Sequence, residues 1–458
     1  MANDPATLAP DTAAPVRLPL SLEQQGYLGL GRNGYGTIAS CSEVTGRLRI
    51  GTLTDAVREV IGRHEPLRMR WQRDAGEVSQ VFLEPGVVRA DWTQADLDDD
   101  SSLDRYLMAD LVQERDGALR LLVLNDSEDH AYALALIDHL ACDGWGAQIF
   151  LGELWHAYRA ISAGRAPGLA PISASYSGFI RRQQATAQRS DRSRGYWEAH
   201  AERFARAATG LPPASGPARD GVGRADIVAM ASRHRVERAR ELARELGVSP
   251  NTLPLAALVL AAASLADSDA VGVSFAYAGR DRRDVHPLIG VFHRRVPLLA
   301  ERVTAGNLGD FITGLSRTVL DALGRSRAPY SASEFDAAVR GHRDRPLVDV
   351  LYNQVSEFFG QPSGQRSLRV GDEAEVSFPG MHFRPARWHS YQESRLRLIV
   401  AGGFRPTMRL IFNEGLVAEA TARLLLDRTL AIVESMSPAV AGSPTSRFVS
   451  SAIARGGE

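Results

Sequence analysis

The stretch that decides the fold reads YALALIDHLACDGW and covers residues 132–145. Its apolar part predicts a buried strand over residues 131–137, and the apolar spacing after Gly144 predicts an amphipathic helix. The apolar positions of that helix are Ile149, Leu151, Leu154, Trp155 and Tyr158. The loop between strand and helix carries a histidine and two aspartates, and enzymes often hold their chemical groups at such strand ends.

Two ionisable residues of this loop are candidates for chemistry. His139 can exchange a proton near neutral pH, so it is a candidate general base. Asp143 stands at the helix start, where it either caps free N–H groups or holds an arginine that braces the loop. Gly144 allows a turn that a side chain would obstruct. A lone strand-end histidine is more often structural, and no third ligand at sensible spacing supports a metal site at His139 and Asp143.

The composition is that of an ordinary globular protein. The 458 residues are 44% hydrophobic and 23% charged, and the formal net charge of -1 gives no field for nucleic acid or a membrane surface. All 53 basic residues are arginine, which excludes a lysine Schiff base. Cys41 and Cys142 give no disulfide framework, and Cys142 fits no cysteine-hydrolase spacing. With no secretory leader and no apolar run of ~18 residues, the sequence predicts a cytoplasmic protein.

The segment DHLACDG, residues 138–144, resembles the His-His-x-x-x-Asp-Gly motif of nonribosomal peptide synthetase condensation domains. Asp138 stands where that motif has its first histidine. Further segments resemble signatures of the same family in the same order, and they are SLEQQGYL (21–28), RHEPLRMRW (63–71), YSGFIRRQQ (176–184), YW (196–197), GR (279–280), LIGVFHRRVPL (288–298) and PLVDVLY (346–352). The resemblance therefore covers residues 17–438.

The resemblance implies an α/β fold. Condensation domains consist of two chloramphenicol-acetyltransferase-like sandwich lobes, arranged as a V-shaped pseudodimer around a central tunnel. We expect a disordered N-terminal tail at 1–16, an N-terminal lobe at 17–178, a C-terminal lobe at 179–439 and a C-terminal tail at 440–458.

The family motif also implies roles for the loop residues. The second motif histidine positions or deprotonates the acceptor, and His139 matches it. Asp143, Gly144 and Asp138 complete the motif at the catalytic centre. Arg280 matches the arginine that braces the motif aspartate, so the resemblance implies that it pairs with Asp143.

Three residues are expected along the substrate tunnel. Trp145 directly follows the motif, and Arg294 and Arg295 stand where the family has an Asn-Thr pair. An arginine facing the tunnel would add a fixed positive charge and favour a carboxylated or phosphorylated substrate group.

The function implied by the resemblance is acyl transfer. The donor would be a thioester on the phosphopantetheine arm of a carrier protein, and the acceptor an amine or hydroxyl on a small molecule or a second carrier. No bound cofactor and no metal are implied. Because we find no carrier or adenylation signature, we expect a free-standing enzyme or an excised domain that meets its carrier in trans.

Two other functions stay open at this point. A non-catalytic docking module that recruits a tailoring enzyme is favoured by Asp138 and by the Arg294-Arg295 substitution. A coenzyme A dependent O-acyltransferase of the same superfamily differs only in its donor.

Some residues with chemical side chains are better explained as structure. His64 and Glu65 are adjacent at a helix end, so their side chains diverge and an acid/base pair is not expected. Tyr196 and Trp197 could stack on a substrate, but packing on a helix face is the commoner fate of such aromatics. Ser21 and Gln24 have the spacing of a helix capping box.

Overall fold

The structure is a computed structural model. It describes residues 17–28, 37–74, 77–86, 92–96, 118–187, 191–207, 224–326, 332–342, 349–355, 367–370, 374–384, 395–401, 407–413 and 417–454. The predicted N-terminal tail at 1–16 lies outside these residues.

The helices and strands of the described residues are numbered in chain order. The helices are α1 (Leu22–Leu28), α2 (Ile50–Arg63), α3 (Gly144–Ser162), α4 (Tyr176–Ala187), α5 (Asp191–Arg206), α6 (Arg233–Glu245), α7 (Thr252–Ala266), α8 (Leu308–Arg325), α9 (Ala332–Gly341), α10 (Glu419–Ser435) and α11 (Thr445–Ala454). The strands are β1 (Arg17–Pro19), β2 (Thr37–Gly46), β3 (Met69–Asp74), β4 (Glu77–Phe82), β5 (Trp92–Asp96), β6 (Leu119–Ser127), β7 (His130–Asp138), β8 (Arg224–Met230), β9 (Ala270–Tyr277), β10 (Arg294–Glu301), β11 (Asp349–Val355), β12 (Ser367–Val370), β13 (Ala374–Arg384), β14 (Arg395–Ala401) and β15 (Thr407–Asn413).

The N-terminal lobe is built on a sheet with the strand order β12-β13-β2-β7-β6-β5. Strand β7 lies inside this sheet and pairs antiparallel with β2 and β6, which fixes its backbone on both sides. Its apolar run from Ala133 to Ile137 is buried, as the sequence predicted. Helices α2 and α3 pack on the sheet through one apolar core. A rigid strand therefore leads into the motif loop.

The C-terminal lobe is built on a second sheet, with the strand order β10-β9-β11-β14-β15-β8. Helix α7 lies in the core of this lobe, and every side chain from Leu255 to Ser264 is buried. The all-round apolar sequence of this helix is typical of such a buried core element. Trp197 and Phe335 pack edge-to-face in the same core, so packing is the role of Trp197.

Two strands from the second half of the chain belong to the first sheet. β13 pairs antiparallel with β2, from Ala374 opposite Gly46 to Arg384 opposite Thr37, and β12 pairs with β13. The predicted lobe at 179–439 is therefore wrong for this segment. The physical reason is that β2 would otherwise leave unpaired backbone groups at a sheet edge.

The predicted C-terminal tail at 440–458 is wrong for its described part. Residues 445–454 form α11, and Phe448 is only 5% exposed within the core of the C-terminal lobe. The N–H groups of Leu308 and Gly309, which begin α8, donate to the carbonyls of Ser443 and Ala441 at 2.9 and 2.8 Å. The segment thus satisfies helix N–H groups that would otherwise lack partners.

Neither a membrane-spanning helix nor a metal cluster is found in the described part of the chain. No helix there is both long and apolar enough to cross a lipid bilayer. No group of three or more His, Cys, Asp or Glu side chains among the described residues is arranged to hold a metal ion.

Candidate active site

The motif loop connects β7 to α3 and has a well-defined backbone. The N–H groups of Ala141 and Cys142 donate to the carbonyl of Asp138 at 2.9 and 3.1 Å, and the N–H of Asp138 donates to the carbonyl of Ala118 at 2.8 Å. His139 lies at the start of this turn and is 6% exposed. The histidine is therefore held on a fixed backbone in a largely buried position.

Asp138 organises the turn with its side chain. Its Oδ1 accepts a hydrogen bond from the N–H of Leu140 at 2.8 Å, which encloses His139 in a side-chain-to-backbone turn. Burial raises the pKa of Asp138 from 3.8 to about 7, although the Leu140 N–H favours the charged form. The carboxyl group is therefore expected to change its charge near neutral pH.

This raised pKa predicts a pH-dependent cost to stability. The native state keeps the Asp138 proton up to about pH 7, whereas the unfolded chain releases it near pH 3.8. Between these two pH values the free energy of unfolding falls as the pH rises, and Asp138 contributes up to about 1.4 kcal/mol per pH unit to this fall. As the pH is raised through this range, the free energy of unfolding of Asp138→Asn should therefore increase relative to that of wild type. A constant difference from pH 4 to pH 8 would contradict the prediction.

Asp143 connects the two lobes. Its Oδ1 accepts from the N–H of Gly146 at 2.7 Å, which caps α3, and from Nη2 of Arg280 at 3.1 Å. Its Oδ2 accepts from the N–H of Phe292 at 3.0 Å, and its own N–H donates to the carbonyl of Gly290 at 3.1 Å. One carboxylate thus joins the motif loop, a helix start and a segment of the C-terminal lobe.

Arg280 is the buried partner of this carboxylate, and the two side chains are 1% and 3% exposed. Its Nη1 donates to the carbonyls of Val285 and Leu288 at 2.7 and 2.8 Å. Its guanidinium lies over the ring of Phe292 at 4.2 Å and over that of Trp145 at 5.2 Å. The structure thus brings together the aspartate and arginine that the sequence paired.

Trp145 and Gly144 lie at the start of α3. The indole Nε1 of Trp145 donates to the carbonyl of His286 at 3.2 Å, and the two rings are 5.7 Å apart. Trp145 therefore contacts the C-terminal lobe, and its side chain is half-buried. Gly144 is exposed.

Two glycines allow the close approach of backbone segments around this site. Gly279 has a φ of 67°, and a Cβ there would lie 1.8 Å from the carbonyl oxygen of Phe292. At Gly146 a Cβ would lie 2.8 Å from the sulfur of Cys142. The sequence pattern pointed to Gly279 through its Gly-Arg dipeptide, but gave no signal for Gly146.

The two arginines that replace the family's Asn-Thr pair are both engaged by carboxylates. Arg295 is bound by Asp336 and donates to Oγ of Ser274 at 3.2 Å. Arg294 lies 3.0 Å from Asp281 and 3.8 Å from Glu23. The expectation of a fixed free positive charge is therefore not met, because each guanidinium is compensated by a neighbouring carboxylate.

Glu23, on the N-terminal segment, is one of the two carboxylate partners of Arg294. It lies at the first turn of α1, is 7% exposed, and accepts hydrogen bonds from Nε2 of Gln183 at 2.9 and 3.2 Å. Burial raises the pKa of Glu23, against the opposing effects of Arg294 and Gln183. Glu23 and Arg294 thus form a compensating pair between the N-terminal segment and β10.

A double-variant cycle tests this pair. Arg294→Asn removes the cation beside a buried carboxyl group and should lower the free energy of unfolding by about 1–3 kcal/mol. Adding Glu23→Ala removes the uncompensated group, so the two losses should fall short of additivity by about 0.5–3 kcal/mol. Strictly additive losses in urea unfolding would show that the two side chains do not interact.

The side chains of His64 and Glu65 diverge, as their adjacent positions in the sequence predicted. His64 is 2% exposed, and its Nε2 lies 2.9 Å from Oε2 of Glu153. Glu65 accepts from the N–H and the hydroxyl of Ser177 at 2.8 and 2.9 Å. Both residues line a cavity of 220 Å³ beside Ile289.

Cys142 is a structural thiol. It is fully buried, and its Sγ donates to the carbonyl of Asp143 at 3.1 Å. Burial, reinforced by the charge of Asp143, raises its pKa well above the usual thiol range. A nucleophilic thiolate is therefore disfavoured at this position.

Fold and site together define a two-lobed α/β protein with its candidate base on a loop at the contact between the lobes. The sequence model of the condensation domain family matches residues 18–375. The chain therefore belongs to the condensation domain family, whose members occur in nonribosomal peptide synthetases, and its fold is the chloramphenicol acetyltransferase-like fold of that family.

Similar proteins come from antibiotic and other natural-product pathways. Phosphinothricin tripeptide synthetase PhsB of Streptomyces viridochromogenes is 26% identical over an alignment of 371 positions, which covers 76% of this chain and 31% of that protein. A linear gramicidin synthase of Brevibacillus parabrevis is 25% identical, over 69% of this chain and 4% of that protein. The chain thus spans a third or less of the length of these two relatives.

A solved structure shares the fold over almost the whole chain. The X-domain from teicoplanin biosynthesis, solved in complex with OxyB, superimposes with a TM-score of 0.73 at 19% identity and covers 98% of each chain. At this level of identity the match shows the fold alone.

Proposed function

We propose that this protein joins a carrier-bound acyl or aminoacyl thioester to an amine or hydroxyl acceptor in natural-product biosynthesis. The observation that carries the proposal is His139, which stands at the position of the second motif histidine on a buried loop with a fixed backbone. Histidine is the side chain best suited to accept a proton at neutral pH.

The proposed reaction uses His139 to position or deprotonate the acceptor. The acceptor nitrogen or oxygen forms a bond to the thioester carbonyl carbon, and its proton passes to His139. The carbon–sulfur bond then breaks, and the departing pantetheine sulfur leaves as a thiol after taking up a proton. The phosphopantetheine arm belongs to the carrier protein, so this chain supplies the base and the orientation of the two substrates.

The other motif residues would support this chemistry without touching the substrate. Asp143 and Arg280 hold the loop against the C-terminal lobe through a buried ion pair. The side chain of Asp138 accepts a hydrogen bond from the N–H of Leu140 and so stabilises the turn that carries His139. A reacting histidine fixed in this way loses little freedom on the path to the transition state.

A docking module without catalysis is the second candidate. Two observations favour it: Asp138 replaces the first motif histidine, and the X-domain of the same fold was solved in complex with another protein, OxyB. Such a module would bind a carrier-bound peptide and a tailoring enzyme, and would form no bond.

One assay separates the carrier-dependent enzyme from a docking module and from a coenzyme A dependent O-acyltransferase. The same acyl group is presented as a carrier thioester and as a coenzyme A thioester, with a panel of amine and hydroxyl acceptors, and products are measured by mass spectrometry. We expect product from the carrier thioester. Product from the coenzyme A thioester but not from the carrier thioester would instead identify a coenzyme A dependent O-acyltransferase. Tight carrier binding without any product would identify a docking module.

A further inference from the structure

The side chain of Gln24 reaches from helix α1 to the motif loop. Its Nε2 donates to the carbonyl oxygen of Leu140 at 2.6 Å, although the two residues are 116 positions apart in sequence. Gln24 is fully buried. The capping box predicted for this segment is present, because the N–H of Gln24 donates to Oγ of Ser21 at 3.1 Å and its Oε1 accepts from the N–H of Ser21 at 2.8 Å.

The orientation of the Gln24 amide is fixed by a second buried amide. Nε2 of Gln24 donates to Oε1 of Gln80 at 3.0 Å, and Nε2 of Gln80 donates to Oε1 of Gln24 at 2.8 Å. Gln80 is also fully buried, and it donates to the carbonyl of Pro19 at 3.0 Å. A flipped Gln24 amide would place its oxygen against the Leu140 carbonyl, so the network selects one orientation.

Leu140 is consequently held on both sides of its Cα. Its N–H donates to Oδ1 of Asp138, and its carbonyl accepts from Gln24. These two hydrogen bonds fix the peptide groups that directly follow His139. The strand register, with Asp138 opposite Thr37, fixes the chain that precedes His139.

We propose that Gln24, oriented by Gln80, is a positioning residue that sets the placement of His139 through the carbonyl of Leu140. The proposal rests on the proposed function, in which His139 acts on the acceptor. Loss of this one donor would free the Leu140 carbonyl and shift the loop. A displacement of about 1 Å at a reacting group can reduce turnover by about 100-fold.

The variant Gln24→Glu removes the donor and keeps the cap. The introduced carboxylate still accepts from the N–H of Ser21 and from Gln80, but it has no N–H for the Leu140 carbonyl. We expect kcat at pH 8 to fall by about 10–100-fold with little change in KM. Ser21→Ala is the matched control, because it removes the Oγ of the capping box and leaves the Gln24 amide in place, so its kcat should stay near that of wild type.

The pH profile distinguishes positioning from a general loss of structure. In a fully buried site the introduced carboxyl group has a raised pKa, and once protonated its O–H can donate to the Leu140 carbonyl. The kcat of Gln24→Glu relative to wild type should therefore rise as the pH is lowered from 8 to 6. Gln24→Met fills the same space without any donor, and its relative kcat should stay low over this range.

Hydrogen exchange gives a readout that does not require turnover. The N–H groups of residues 140–143 are all hydrogen-bonded, so mass-spectrometric exchange of a peptide covering this loop reports its rigidity. We expect faster exchange in Gln24→Glu and Gln24→Met at pH 8, and wild-type exchange in Ser21→Ala. If the protein proved to be a docking module, the exchange result would still hold while no variant formed product. Wild-type exchange and wild-type kcat in both Gln24 variants would overturn the proposal.

Discussion

Replacing Asp143 with alanine is expected to lower the free energy of unfolding by about 3–5 kcal/mol. The change leaves Arg280 buried without its carboxylate, and both side chains are almost completely excluded from solvent. It also removes the acceptor for the N–H groups of Gly146 and Phe292, which belong to opposite lobes. Urea unfolding of variant and wild type, measured side by side, checks the prediction.

An exposed ion pair provides the matched control. Asp321 and Arg325 are 3.0 Å apart, but their side chains are 56% and 46% exposed. Asp321→Ala should therefore cost less than about 1 kcal/mol. Asp143→Asn keeps one acceptor oxygen for the helix cap but loses the charge and the second acceptor oxygen, so we expect an intermediate loss. Equal losses in Asp143→Ala and Asp321→Ala would refute the role of Asp143 as the link between the lobes.

Replacing His139 with alanine is expected to reduce turnover by about 100-fold or more. The variant loses the group that accepts the proton of the acceptor, and buried water is a poor substitute for a fixed imidazole. Carrier binding should be retained, because Asp143, Arg280 and the loop hydrogen bonds made by Asp138 do not involve the imidazole.

His156→Ala is the control for this substitution. His156 lies on the exposed face of α3, and its Nε2 is 2.9 Å from the carbonyl of Pro167. Its replacement should leave kcat and KM unchanged. Turnover by His139→Ala within a few-fold of wild type, with carrier binding intact, would exclude His139 as the general base.

The sequence predicted the local structure around the site because the relevant signals are local. An apolar run that stops at Asp138, followed by apolar residues at helical spacing, describes one strand, one loop and one helix. The pairing of Asp143 with Arg280 came from two family motifs that the structure places in contact. Their roles in catalysis remain predictions.

The contacts that the sequence did not predict join residues far apart in the chain. The hydrogen bond from Gln24 to Leu140 and the approach of Arg294 to Glu23 depend on how α1 lies against both lobes. No strand was predicted from the sequence at β13, and a pattern that indicates a strand does not specify which sheet the strand joins. Helix α11 looked like a tail because few of its residues are strongly apolar, although Phe448 anchors it in the core.

The most direct test of the central claim is intact-mass spectrometry of a loaded carrier protein in a single turnover. A carrier bearing its acyl group is mixed with an acceptor and an excess of either wild type or His139→Ala. We expect the acyl mass to leave the carrier and appear in the acceptor with wild type, and to stay on the carrier with the variant. A carrier that keeps its acyl group in both reactions, or loses it at the same rate in both, would contradict the proposed role of His139.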